Sequence, residues 1–145
     1  MPFVLNNEKN YLHMIKNSTG CNMFRNLYVT DELGNHFDAT ENGNKSCAIY
    51  VTSILKLFDK IDRLHSTASG TYKYISRSVN WSKTDKPIMG DLVFWDKTDT
   101  STGHVGFFLD NNTAVSNVDS SGNPQSHMLT MHDGRKPLSF WTYSK

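Results

Sequence analysis

Cysteine is scarce in this chain: Cys21 and Cys47 are the two among 145 residues. Two thiols are too few for a cysteine-rich zinc site. They can close one disulfide, which sequence spacing alone neither requires nor forbids. An excess of charge of one sign is also missing. The formal net charge is +1, so no strong field points to nucleic acid or to an acidic membrane surface. No apolar run reaches the roughly 18 residues of a spanning helix, so no membrane insertion is expected. The opening Met1-Pro2-Phe3-Val4-Leu5-Asn6-Asn7 lacks a basic segment followed by a long apolar one. As it stands it is not a secretory signal. No repeat, linker or composition break divides the chain, and residues 1–145 are expected to form one domain.

What is present is enough apolar matter for a core, at 37% hydrophobic and 12% aromatic, and it changes character along the chain. Tyr11, Leu12 and Ile15 fall at helical spacing between Asn7 and Lys16, with Asn6 or Asn7 as cap. Cys21 to Asn44 is polar and loop-like, with turns at Leu33-Gly34-Asn35 and Glu41-Asn42-Gly43-Asn44. Ser46 to Asp59 is apolar on nearly every side, the mark of a buried helix. Ala68, Tyr72 and Ile75 predict another helix within His65 to Ser78, followed by a polar loop from Trp81 to Pro87. From Pro87 the pattern becomes strand and turn. Ile88 to Trp95 is expected to be a turn and then a strand, and further strands are expected over His104–Leu109, Ala114–Val118, Gln125–Met131 and Leu138–Tyr143. Between them lie a Lys97–Gly103 loop, a tight Asp110–Thr113 turn and a Ser120–Pro124 loop. Helices first and an antiparallel meander after them make an α+β arrangement.

Two residues stand where chemistry can happen. Cys47 opens the buried helix, and His104 opens a strand fifty-seven residues later in Gly103-His104-Val105-Gly106-Phe107. A thiol attacks a carbonyl as its thiolate. The first turn of a helix offers unpaired N–H groups and partial positive charge, which favour an anion and can help form an oxyanion hole. A lone cysteine beside Ala48 and Ile49 is ordinarily a small buried hydrophobe. Imidazole, the usual base for a cysteine nucleophile, changes that balance. Gly106 continues the face of His104 and would let the helix approach closely. A third polar group normally orients the imidazole. On the next strand Asn117 is the preferred candidate, accepting through its side-chain oxygen. A register shift of one residue would select Ser116 instead. His127, His132 and Asp133 do not have the spacing of a helical metal motif, and no metal or cofactor is expected.

Ser46-Cys47-Ala48-x-x-Val51, Pro87-x-x-Gly90-Asp91-Leu92-Val93-Phe94-Trp95 and Gly103-His104-Val105-Gly106-Phe107 occur in that order. The set resembles the NlpC-type and CHAP-type peptidoglycan hydrolases, papain-like cysteine amidases and endopeptidases. The likeness covers roughly Ser46 to Val118, and the order Cys before His excludes the permuted branch. It departs from many relatives in having Ser46-Cys47-Ala48-Ile49 where they have Asp-Cys-Ser-Gly, and in lacking a histidine at the third position.

The resemblance implies a papain-like fold, with N-terminal helices and a Cys-bearing central helix packed on an antiparallel sheet of about five strands. It implies hydrolysis of amide bonds in cell-wall peptides, with Cys47 as nucleophile, His104 as base and Asn117 as the orienting residue. Ser46, Trp81 and Gly103 are candidates for contact with substrate. Asp91 is expected to cap backbone groups, and Tyr50 and Trp95 to pack. The protein would act at the bacterial cell wall or periplasm. Without a signal it would be delivered by phage lysis or a specialised secretion system, or would have lost its signal. An injected toxin would be paired with an immunity protein. The other readings are a transglutaminase-like acyl transferase, which uses the same order of groups, and a catalytically inactive wall-binding module of the same fold.

Overall fold

The computed structural model describes residues 2–98, 103–118 and 121–144. Residues 99–102 of the expected Lys97–Gly103 loop and residue 120 of the Ser120–Pro124 loop lie outside them.

The first helix, α1 (Asn7–Asn17), is capped by Asn6, whose side chain accepts from the Lys9 N–H at 3.0 Å. Its buried residues, Tyr11 and Ile15, are one turn apart and so share a face. A short hairpin follows, β1 (Tyr28–Thr30) against β2 (His36–Asp38), inside the stretch expected to be loop. Each strand has three residues, and Tyr28 and Phe37 point outward at 71% and 51% exposure, so no buried alternation marks them. Asp31 closes the hairpin turn by accepting from the Leu33 and Asn35 N–H groups, both at 2.9 Å.

The central helix, α2 (Cys47–Leu57), buries Ala48, Ile49, Tyr50, Val51, Thr52, Ile54 and Leu55. Burying each large apolar side chain contributes about 1.5–3 kcal/mol, which makes α2 the main apolar element on the helical side. The third helix, α3 (Ala68–Arg77), is capped by Thr67, which accepts from the Gly70 N–H at 3.0 Å. It turns Thr71 and Ile75 inward and sets Tyr72 edge-on against Phe94 and Trp141.

The remaining strands are β3 (Trp81–Thr84), β4 (Leu92–Trp95), β5 (His104–Phe108), β6 (Thr113–Val118), β7 (Asn123–Met128) and β8 (Pro137–Tyr143). They form a six-stranded antiparallel sheet in the order β3-β8-β4-β5-β6-β7. The α+β class is therefore observed, with one strand more than expected in the main sheet. The extra strand is β3, which falls in the expected Trp81–Pro87 loop. It is an edge strand with Ser82 and Lys83 exposed, so half of it reads as polar surface. Trp81 itself is buried, and its indole N–H donates to the Lys60 carbonyl at 2.9 Å. No helix among the described residues is long and apolar enough to cross a membrane.

The sheet has two covered faces. Leu92, Phe94, Val105, Phe107 and Val115 meet the helices. Tyr50 of α2 sets its ring edge-on to Phe107 at 5.5 Å. Val93, Trp95, Phe108 and Ala114 lie on the reverse face, under Met131 of the β7–β8 connection. Gly106 belongs to this reverse face, so it does not admit α2 as the sequence suggested. It admits Ser116. A Cβ on Gly106 would stand 2.6 Å from the Val115 carbonyl oxygen and 2.7 Å from the Ser116 Cβ. The β5–β6 ladder runs through Phe107↔Val115 and Phe108↔Ala114 only.

Gly106→Ala is therefore expected to lower stability by about 1–3 kcal/mol, the usual cost of overpacking a filled site. Urea unfolding would show it as a lower midpoint at unchanged slope. A midpoint equal to wild type would mean that β5 and β6 part without cost.

Candidate active site

The segment before α2 is tied down from several sides. The Asp38 carboxylate accepts from the N–H groups of Leu27 at 2.9 Å, Thr40 at 3.0 Å and Asn42 at 2.8 Å. Desolvation works to raise its pKa, but these bonds, with those from the Thr40 hydroxyl and Asn26 amide, hold it well below the usual carboxylate range. The Gly43 carbonyl accepts from the Ser46 hydroxyl at 3.1 Å and from the Asn117 amide at 2.9 Å. Gly43 has φ +96°, and a Cβ there would stand 2.7 Å from the Gly122 carbonyl oxygen. The turn thus presses on the β6–β7 connection and delivers the chain to Cys47, the half-buried first residue of α2. No acidic side chain occupies that first helical turn.

Cys47 and His104 line the same cavity, of about 580 Å³. It opens where β5 begins and β6 ends, with Gly103 and Val118 in its wall. Asn44 and Lys45 flank Cys47, Ser66 to Ser69 come from the start of α3, and His132, Asp133 and Arg135 come from the β7–β8 connection. Arg135 is half-buried and pairs with Asp133 at 3.0 Å, so this part of the wall carries both signs of charge.

His104 is buried on the reverse face beside Trp95, the ring centroids 5.5 Å apart. Its Nε2 lies 2.8 Å from the Ser116 Oγ. The same Oγ lies 2.6 Å from the His127 Nε2, and the His127 Nδ1 lies 2.8 Å from the Met128 carbonyl oxygen. The Trp95 indole also stands against the His127 ring, at 5.6 Å, and donates to the Leu129 carbonyl at 2.8 Å.

The polarity of this chain of bonds follows from its last member. A carbonyl only accepts, so the His127 Nδ1 carries hydrogen. In neutral His127 the Nε2 then accepts, and the single Ser116 hydrogen goes to it. The Ser116 oxygen offers His104 only lone pairs, so the His104 Nε2 donates. The partners thus determine where each hydrogen sits. The assignment leaves the His104 Nδ1 as the basic nitrogen. Burial, and then the nearby His127, Arg135 and His132, lower the His104 pKa to about 3, with Asp133 opposing. Neutral imidazole is the resting form at pH 7.

The residues singled out from sequence are thus placed differently. Cys47, His104 and Gly103 share the cavity wall. Ser46 is buried behind it, with its hydroxyl on Gly43. Trp81 is held in the core by Lys60, away from the cavity lining. Asn117 does not reach His104; it points to the opposite face of β6 and holds the turn before Cys47, and Ser116 is the residue on the imidazole. The pairing of Phe107 with Val115 explains why. Residues opposite each other share a face, which puts His104, Gly106 and Ser116 on one side and Asn117 on the other. His127 had no signal beyond its residue type, since its place depends on the β6–β7 register that brings it opposite Ala114. Lys45, Asp133 and Arg135 likewise reach the cavity through turns.

Asp91 accepts from the Ile88 N–H at 2.8 Å, a turn-closing bond. Cys21 and Cys47 are not joined in a disulfide. Among the described residues, no three His, Cys, Asp or Glu side chains gather to hold a metal. No protein-family model matches this chain, and neither does any curated protein.

The His104 environment makes a stability prediction. The unfolded chain binds a proton at the ordinary value of 6.5, whereas the folded chain resists it down to about 3. Stability is then full above 6.5 and falls as pH drops through that window, by up to about 1.4 kcal/mol per pH unit. Between pH 7 and pH 5 wild type should lose about 2 kcal/mol more than His104→Gln in urea titrations. Equal losses in the two proteins would mean that His104 is readily protonated in the fold.

Proposed function

We propose that this protein is a papain-like cysteine hydrolase that cuts amide bonds in peptidoglycan peptides. One observation carries the reading: the thiol at the start of the buried helix and a histidine held in one tautomer face a common cavity. The three ordered motifs and their likeness to NlpC-type and CHAP-type enzymes supply the substrate class. A wall that presents Lys45, Arg135 and Asp133 suits a peptide bearing free carboxylates and amines.

In this reaction the Cys47 proton passes to the His104 Nδ1, and the sulfur adds to the scissile carbonyl carbon. The carbonyl oxygen becomes an oxyanion, which N–H groups at the start of α2 are suited to receive. The oxyanion collapses, the C–N bond breaks, and His104 returns the proton to the leaving amine. The acyl group is left on sulfur as a thioester. Water then adds to it while His104 accepts its proton. Collapse breaks the C–S bond and releases the carboxylic acid, and the proton restores the thiol. Neutral His104 is the form that can begin this cycle. Ser116 orients the ring, and Asn117 steadies the turn that delivers Cys47. A lysin or an injected wall-degrading toxin, the latter with an immunity protein as partner, is the biological setting that this chemistry fits.

Incubation of the reduced protein with purified sacculi should release peptide fragments whose masses identify the bond. Cys47→Ala should abolish release, and His104→Gln should slow it by about 10²–10⁴-fold. Intact sacculi after long incubation with fully reduced wild type would sink the proposal. Transfer of the acyl group to added amines in preference to water would reassign the protein to acyl transfer.

A further inference from the structure

We propose that His127 is a positioning residue whose charge, relayed through the Ser116 hydroxyl, decides which nitrogen of His104 is basic. The proposal rests on the reading of His104 as the base for Cys47 and adds to it a control that His104 does not exert itself.

The hydrogens along this line of bonds are fixed by its closed end. The Met128 carbonyl always takes the His127 Nδ1–H, at 2.8 Å. Neutral His127 therefore accepts at Nε2 from Ser116, at 2.6 Å, and Ser116 accepts from the His104 Nε2–H, at 2.8 Å. A second proton on His127 turns its Nε2 into a donor. Ser116 has one hydrogen, and with His127 now donating, the His104 Nε2 at 2.8 Å is the partner that can accept it, so the hydrogen turns that way. The His104 Nε2 can receive it only as an acceptor, so the proton of neutral His104 moves to Nδ1. In that tautomer Nδ1 has no lone pair for the Cys47 proton. The base is switched off while its own charge stays the same.

The surroundings suit such a device. Ser116 is fully buried, and the space left by Gly106 holds it in place. Trp95 stands against both imidazoles and limits their tilt. His127 is partly exposed at the sheet edge, where a proton can reach it, whereas His104 is not. Facing His127 are His104 from β5 and His132 from the β7–β8 connection, while β6 and β4 present uncharged Ser116 and Trp95. Asp133 and Arg135 of that connection act on His104. Burial, with a smaller push from His132, holds the His127 pKa below the ordinary histidine range, against the bond to Met128. The switch therefore lies on the acid side of neutrality.

Two measurements test this without a known substrate. Nitrogen-15 NMR of histidine-labelled protein reads the His104 tautomer against pH. Alkylation of Cys47 by iodoacetamide reads the basicity of its partner. Wild-type His104 should carry its hydrogen on Nε2 at pH 7.5 and move it to Nδ1 as His127 titrates, with an acid limb in alkylation at the same pH. Ser116→Ala should uncouple the two rings and slow alkylation at pH 7.5 roughly tenfold, the effect of one lost buried hydrogen bond. His127→Gln, which accepts from Ser116 without titrating, should keep alkylation near wild type at pH 7.5 and remove the acid limb.

A His104 hydrogen on Nδ1 at pH 7.5, or a tautomer that ignores the titration of His127, would overturn the proposal on wild-type protein alone. An acid limb that persists unchanged in His127→Gln would do the same. If the tautomer follows His127 while His104→Gln leaves alkylation and sacculi untouched, the relay stands and the hydrolase reading falls.

Discussion

Ser116 sits in the space that any side chain on Gly106 would fill, and the candidate site depends on that contact. Through it β6 comes close enough for its hydroxyl to reach the imidazole of His104 on the neighbouring strand. A regular ladder would have continued here. Instead the paired register runs through Phe107 and Phe108, and the cavity lies at the end where β5 begins. The placement of the histidine thus depends on the absence of a methyl group at one position of β5.

The helical side supplies the other half. A helix apolar on almost all sides can be held only by burial, and α2 is held along its length by the sheet and by α1. The Ser18 hydroxyl donates to the Ile15 carbonyl at 2.6 Å, so it must accept from the Tyr50 hydroxyl at 2.7 Å. That bond locks the end of α1 to the first turns of α2. Cys47 is then displayed at the terminus of an element with little freedom to move, and the turn before it is clamped by Asp38 and Asn117. Preorganisation of this kind lowers the cost of aligning a nucleophile.

Much of this was legible in the sequence because it is local. The helical spacing of Tyr11 and Ile15, the apolar run after Cys47 and the short apolar runs broken by turns after Pro87 each reflect local backbone geometry. Cys47 and His104 were recognisable from their positions at element starts. What could not be read depends on register and on edges. The choice between Ser116 and Asn117 turns on one residue of strand pairing. The role of His127 depends on two pairings in succession. The Trp81–Thr84 and Tyr28–Thr30 strands are polar on their open sides, so no apolar repeat announces them. Gly106 was correctly marked as a point of close approach, but its neighbour proved to be a strand instead of the helix.

Lys60 also bears on how the chain is closed. Its ammonium lies 4.6 Å from the Tyr11 ring centre and 4.3 Å from that of Tyr143, so one cation bridges the first helix and the last strand. Its side chain is 13% exposed, against 58% for Lys45 in its pair with Glu41. Dissolved ions screen that exposed pair more readily than the contact of Lys60 with the two rings. The seam between α1 and β8 is therefore less sensitive to ionic strength than the contacts on the molecule's surface.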